Sequence, residues 1–189
     1  MMTKEEILKI FKDAGALLEG HFLLRSGLHS DRFFQAALLL QYPNYAEKLC
    51  MELAEEFKDM NIKTVISPAL GGLIVGQEMA RALGARAIFA EKDNDNLVLR
   101  RGFTIEKGER ILVAEDVVTK GGRVQQTIDL VRAHGGNPVA VAVIVDRSLG
   151  QTKFDIPHKS VMQLELPAYE PSACPLCAAK IPLARPGSK

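Results

Sequence analysis

The segment Val139-Ala-Val-Ala-Val-Ile-Val145 restricts the fold most, because seven apolar residues in succession leave no face for water. It is far short of the roughly 20 residues that a helix needs to cross a bilayer. Its Val and Ile content suits a strand, and a strand apolar on both sides must be covered on both sides. Ile111-Leu-Val-Ala114 has the same character, and Thr64-Val-Ile-Ser-Pro-Ala69 reads as a strand whose end is fixed by Pro68. Between these strands lie segments with helical periodicity. Ala46, Leu49, Cys50, Leu53, Ala54 and Phe57 form one apolar stripe, with Asn44 as the expected cap and Glu47 three residues on. Residues 71–83 read as a helix closed by Gly84, and residues 124–134 as a helix stopped by Gly135-Gly136. Such alternation predicts an α/β fold, a doubly wound and mainly parallel central sheet with helices on both faces.

The flanks are less regular. Ile7, Leu8, Phe11, Ala14 and Leu18 fall at helical spacing and predict an opening amphipathic helix. Residues 22–34 read as two short strands or an extended loop, with Ser26-Gly27 as a turn. Residues 86–91 read as a strand and Asn94-Asp95-Asn96 as a turn, and Leu97, Leu99 and Arg101 face opposite to Val98 and Arg100, which predicts a hairpin arm there. From Pro167 the chain is rich in Pro and reads as an irregular tail. The whole is expected to be a single domain over residues 1–189, with residues 1–40 as an N-terminal appendage and 167–189 as the tail. A length of 189 residues suits one domain of ordinary size.

Charge and cysteine content narrow the class. Lys and Arg number 24 against 23 Asp and Glu, a net charge of +1, so nothing favours bulk attraction to nucleic acid or membrane. Three cysteines are too few for a disulfide framework, and the N-terminus lacks the uninterrupted apolar stretch of a secretion signal. A cytoplasmic protein is the expectation. Cys174-Pro-Leu-Cys177 has the spacing of half a zinc knuckle. A closed zinc site needs four ligands, and two tails meeting in a dimer could supply them. His21, His29, His134 and His158 are scattered in sequence and receive no role.

In a doubly wound sheet, ligands bind beyond the carboxyl ends of the strands. The third such end reads Ile111-Leu-Val-Ala-Glu-Asp-Val-Val-Thr-Lys-Gly-Gly-Arg123 and runs into a helix. Adjacent carboxylates repel and lose hydration at a strand end, and both accept only. A pair of sugar hydroxyls would satisfy them. The following Thr-Lys-Gly-Gly-Arg offers backbone N–H groups, a hydroxyl and two cations at a helix N-terminus, which suits a phosphate. Diol and phosphate together describe a ribose 5-phosphate, while a solvated acidic turn is the plain rival. The chain matches neither the dinucleotide G-x-G-x-x-G nor the G-x-x-x-x-G-K-[ST] pattern.

The segment Val113-Ala-Glu-Asp-Val-Val-Thr-Lys-Gly-Gly122 resembles the phosphoribosyl-diphosphate (PRPP) motif of the type I phosphoribosyltransferase family. Residues 22–34, Ser67-Pro-Ala-Leu-Gly-Gly72 and Val145-Asp-Arg147 extend the likeness toward its orotate-using branch. The resemblance implies a small N-terminal hood and a mobile hairpin arm on the central sheet. It implies transfer of phosphoribosyl from PRPP to orotate, giving orotidine 5′-monophosphate and pyrophosphate in pyrimidine synthesis, with Mg²⁺ carried by PRPP. Glu115 and Asp116 would take the ribose hydroxyls, and Val117, Val118, Thr119, Lys120, Gly121, Gly122 and Arg123 would wrap the 5-phosphate. Arg25 stands in for a family lysine near the diphosphate. Thr119, Arg147, Phe33 and Phe34 would face orotate, although Arg147 equally suits a simple pair with Asp146, and a Phe commonly serves the core. Lys92 and Asp116 are the catalytic candidates, Lys92 on an arm reaching the neighbouring subunit of a homodimer.

The sequence departs from the family pattern in places. Leu70-Gly71 occupies the place of a Tyr-Lys pair, and Lys120 and Arg123 are more basic than usual. Glu91-Lys92 begins the arm where an Arg-Lys pair is usual, and the arm lacks the family's second Lys and its His. Two rival readings stand beside the orotate enzyme, a purine-base phosphoribosyltransferase and a PRPP-sensing regulator.

Overall fold

Alternate residues of the apolar strands feed two separate cores. The computed structural model describes residues 2–24 and 26–186. In chain order the elements begin with α1 (Lys4–Asp13), β1 (Leu17–Leu23), β2 (His29–Phe34), α2 (Ala36–Leu40), α3 (Pro43–Ala54), β3 (Thr64–Pro68) and α4 (Leu73–Leu83). They continue with β4 (Arg86–Asp93), β5 (Asn96–Leu99), β6 (Arg110–Val118), α5 (Gly122–Ala133), β7 (Asn137–Asp146), β8 (His158–Gln163) and α6 (Pro175–Ala178). Six strands make one sheet in the order β5-β4-β3-β6-β7-β8, parallel except for the β4–β5 hairpin. This is the doubly wound, mainly parallel α/β sheet expected from the apolar runs.

Val65, Leu112, Ala114, Ala140, Ala142 and Ile144 face one core, which α1, α3 and α4 cover with Phe11, Leu49, Leu53, Val75 and Met79. Ile66, Ile111, Val113, Val141 and Val143 face the other, covered by Val124, Ile128 and Val131 of α5. The winding reverses between β3 and β6. From β3 the chain moves outward through α4 to β4, and from β6 it moves the other way through α5 to β7. The carboxyl ends of β3 and β6 therefore lie side by side at the switch, where such sheets hold ligands.

Strands β1 and β2 pair antiparallel in a two-stranded hairpin outside the main sheet. Leu18, placed with the opening helix by its spacing, pairs instead with Phe33 in this hairpin. The helix has a Thr3–Glu6 capping box and ends at Asp13, before Gly15 at φ +65. The expected cap at Asn44 is also corrected. Tyr42 holds the cap position, Pro43 opens α3, and no side chain caps the helix. Glu47 instead pairs with Arg81 of α4 at 3.0 Å. The helix expected from residue 71 begins at Leu73, which leaves Gly71 in the loop and Gly72 at the cap position. Three elements had no counterpart in the pattern, the five-residue α2, the edge strand β8 and the four-residue α6 in the tail. The tail after Pro167 is largely irregular, but it returns to the hairpin. Leu23 N–H donates to the Ala184 carbonyl at 2.9 Å, and Ala184 N–H donates to that of His21 at 2.8 Å.

Candidate active site

Glu115, buried, and Asp116, half-buried, lie near the carboxyl end of β6, and the loop after β3 closes directly upon them. A side chain on Gly71 would come within 2.8 Å of Asp116 Oδ2, and one on Gly72 within 3.1 Å of Glu115 Oε1. Only glycine lets this backbone approach the carboxylates. The same loop carries a cis peptide between Ala69 and Leu70 and exposes Leu70 at its tip. The carboxylates meet mainly backbone. Asp116 N–H donates to Glu115 Oε1 at 3.1 Å, and Val117 N–H to Asp116 Oδ1 at 2.7 Å. Glu115 is 6% exposed. Loss of hydration, with Asp116 beside it, pushes its carboxyl up to about 9, so it holds a proton at neutral pH.

The chain then turns into α5. Glu115, Val117, Val118, Thr119, Lys120, Gly121, Gly122 and Arg123 line one cleft of about 370 Å³, joined by Val124 and Gln126. Seven of these are the residues expected to wrap a phosphate. Asp116 is half-buried beside that lining, with its carboxylate toward Gly71. Gly121 caps α5 at φ +73, and a side chain there would strike Thr152 and Phe154. Gly121 thus sets the turn that aims the first N–H groups of α5 into the cleft. Thr152 Oγ1 donates to the Thr119 carbonyl at 2.8 Å, which holds the loop from the far side.

Arg147 follows the end of β7, and its backbone N–H donates to the Val118 carbonyl at 2.8 Å, beside the phosphate loop. The simple pair with Asp146 is not formed. Asp146 Oδ1 accepts from Ser148 N–H at 2.7 Å, and Oδ2 lies 3.4 Å from His158 Nε2 of β8. Arg147 Nε is buried and has no hydrogen-bond partner among the described residues. Burial holds the guanidinium pKa below its usual value. A half-buried cation without a partner is expensive, and an anionic ligand would relieve the cost.

The remaining candidates are placed as follows. Phe34 is buried against Phe11, ring centroids 4.8 Å apart, while half-buried Phe33 meets Phe22 at 6.0 Å. Lys92 is exposed on β4, paired in register with Leu97 and outside the cleft lining. The arm is an ordered hairpin here. Arg101 pairs with Glu91 at 2.7 Å, Arg100 pairs with Asp93 at 3.2 Å, and Gln126 of α5 donates to the Asp95 carbonyl at 3.0 Å. Arg25 lies outside the described residues. Sequence reasoning missed His158, Thr152 and Gln126, because each acts through a neighbour that only the fold supplies.

The carboxylate pair offers no third ligand, since the one cluster of three or more metal-binding side chains among the described residues lies elsewhere. It fits a hard cation that arrives already held by phosphate oxygens, and it is not a cage built by protein alone.

Residues 39–170 match the phosphoribosyl transferase domain family. Over 188 residues the chain is 51% identical to the orotate phosphoribosyltransferase of Caldanaerobacter subterraneus subsp. tengcongensis, covering 100% of this chain and 99% of that one. It is 52% identical to the orotate phosphoribosyltransferase of Caldicellulosiruptor saccharolyticus, again over 100% of this chain and 98% of that one. The crystal structure of orotate phosphoribosyltransferase from Aeropyrum pernix superposes with a TM-score of 0.72 at 25% identity, over 84% of this chain and 93% of that one.

Proposed function

The chain belongs to the orotate phosphoribosyltransferase family, and from that premise we propose how its own residues divide the work. The reaction moves the 5-phosphoribosyl group from PRPP to orotate in pyrimidine synthesis. A bond forms between a ring nitrogen of orotate and the anomeric carbon as the bond to pyrophosphate breaks. The anomeric carbon passes through an oxocarbenium-like state. The observation that carries the assignment is the juxtaposition at the switch point, two carboxylates against the Gly71-Gly72 pair and beside a phosphate-sized cleft.

In this reading Glu115 and Asp116 accept from the ribose hydroxyls, and Asp116, the more exposed, acts as the catalytic carboxylate. Val117, Val118, Thr119, Lys120, Gly121, Gly122 and Arg123 hold the 5-phosphate through N–H groups at the α5 N-terminus and two cations. The Leu70-Gly71-Gly72 backbone lies where the diphosphate leaves, with Arg25 assigned to the same group. Mg²⁺ carried by the diphosphate of PRPP would supply charge neutralisation there, with no protein cage needed to hold it. Arg147 and Thr119 orient orotate, the planar guanidinium matching a carboxylate edge. Phe33 and Phe34 close the base side, Phe33 from the surface and Phe34 from the core beneath. Residues 1–40 act as a hood and 167–189 as its tail within one working domain.

Lys92 is assigned to the neighbouring subunit's site in a homodimer. The exposed apolar side chains of Leu38, Tyr42 and Ile74 support a second copy as the partner. No helix among the described residues is long and apolar enough to cross a membrane.

The test is absorbance of orotate with PRPP and Mg²⁺, with Asp116→Asn measured alongside. Loss of orotate in the wild type and a rate at least ~100-fold lower in the variant is expected. Undiminished turnover by the variant would remove Asp116 from its role. Turnover of a purine base in place of orotate, or of none, would move the assignment to the two rival readings.

A further inference from the structure

We propose that His21, His29, Cys174 and Cys177 form a structural zinc site that clasps the C-terminal tail to the β1–β2 hairpin. One ligand atom from each of the four lies within 4.8 Å of all the others. Around a tetrahedral Zn²⁺, with Zn–N of about 2.1 Å and Zn–S of about 2.3 Å, ligand atoms sit roughly 3.3–3.8 Å apart. Here Cys174 Sγ lies 3.6 Å and Cys177 Sγ 3.8 Å from His21 Nε2, and Cys177 Sγ lies 3.3 Å from His29 Nδ1. The two imidazole nitrogens are 2.9 Å apart, so an ion would part the rings by a few tenths of an ångström. Two imidazoles and two thiols are a donor set that favours zinc over magnesium or calcium.

Three further features mark a built site. His21 Nδ1 lies 2.7 Å from the Ile181 carbonyl, which can accept only, so Nδ1 carries the proton and Nε2 turns its lone pair to the cluster. That outer hydrogen bond is the usual way a metal-binding imidazole is fixed. His21, His29 and Cys174 are buried, so four protein ligands leave no open position for water or substrate. The backbone already holds the two partners together. His29 and Tyr169 exchange both N–H···O bonds at 2.9 and 2.8 Å, and the turn of α6 brings Cys177 back beside Cys174.

All four ligands come from one chain, so no second tail is required. The missing half of the knuckle is the histidine pair. His29 pairs with Leu23 across the hairpin, and His21 lies in the irregular stretch between Glu19 and Phe22 where the register shifts, its ring edge-on to that of His29 with centroids 4.8 Å apart.

The experiment uses full-length enzyme without a polyhistidine tag, grown in zinc-replete medium and purified without chelator. Metal analysis is expected to give about one zinc per chain in the wild type and loss of that zinc in Cys177→Ser. Cys177 is exposed, so this variant should fold. On the wild type itself, chelation should lower the melting temperature and added Zn²⁺ restore it. Co²⁺ in its place should give the intense visible bands of a tetrahedral site with sulfur-to-cobalt charge transfer. Wild-type protein with far less than one zinc per chain and no cobalt bands would overturn the proposal. So would equal zinc in Cys177→Ser, or a mass showing a Cys174–Cys177 disulfide in freshly purified protein.

Discussion

Replacing Glu115 by Gln should make the free protein more stable while weakening its grip on PRPP. The carboxyl is raised from 4.5 to about 9 by burial and by Asp116, so the folded protein carries a proton that the unfolded chain releases above pH 4.5. A carboxyl raised in this way stabilises the fold fully only below the unfolded value, and that contribution falls as pH climbs toward the folded one. At pH 7 the loss spans 2.5 pH units above 4.5, and at about 1.4 kcal/mol per unit it reaches about 3 kcal/mol. Gln copies the protonated acid, keeps an oxygen for Asp116 N–H, and has no proton to lose. The variant should therefore match the wild type near pH 4.5 and exceed it by about 3 kcal/mol at pH 7. For a chain of this length that is roughly 6–12 °C in melting temperature. The assay is thermal and urea unfolding of both proteins at pH 5, 6, 7 and 8, at one protomer concentration so that association is held fixed. A stability gap that does not widen with pH, or a variant less stable at pH 8, would refute the buried protonated acid.

Other consequences are narrower. Binding of PRPP at pH 7 should release about one proton as the ribose hydroxyls meet Glu115, seen by calorimetry as heats that vary with buffer ionisation enthalpy. Gly71→Ala puts a methyl against the Asp116 carboxylate, and turnover should fall about 100-fold while the melting temperature moves little, since residue 71 is exposed. Arg147→Gln should raise KM for orotate at least ~10-fold and leave KM for PRPP nearly unchanged, and equal changes in both would remove Arg147 from the base side. Ile144→Ala, fully buried in β7, should cost about 2–5 kcal/mol in urea unfolding without changing KM for either substrate.

The parts of the fold legible in the sequence are those whose causes are local. Val139 to Val145 must be covered on both sides wherever the strand sits, and the motif from Val113 to Gly122 carries its strand end, carboxylates and phosphate turn in one run. What was illegible depends on partners distant in sequence. The cap of α3 went astray because Pro43 starts the helix without a side-chain cap, which leaves Glu47 to Arg81 of another helix. The edge strand β8 is half-exposed and mixed in composition, so its period is weak. That Asp146 would take Ser148 and His158 as partners and not Arg147 was illegible, because His158 reaches it from another strand. The histidines could be read with the cysteines only once the tail was seen to return across some 150 residues.

That return has a consequence for synthesis. The β1–β2 hairpin is synthesised long before Tyr169 and Ala184, which complete its hydrogen bonding. The central sheet can assemble from strands near in sequence while the hairpin waits with unpaired N–H and C=O groups. The hairpin is therefore completed only after the central sheet has been synthesised, so a nascent chain carries a formed phosphate loop before its hairpin is paired with the tail.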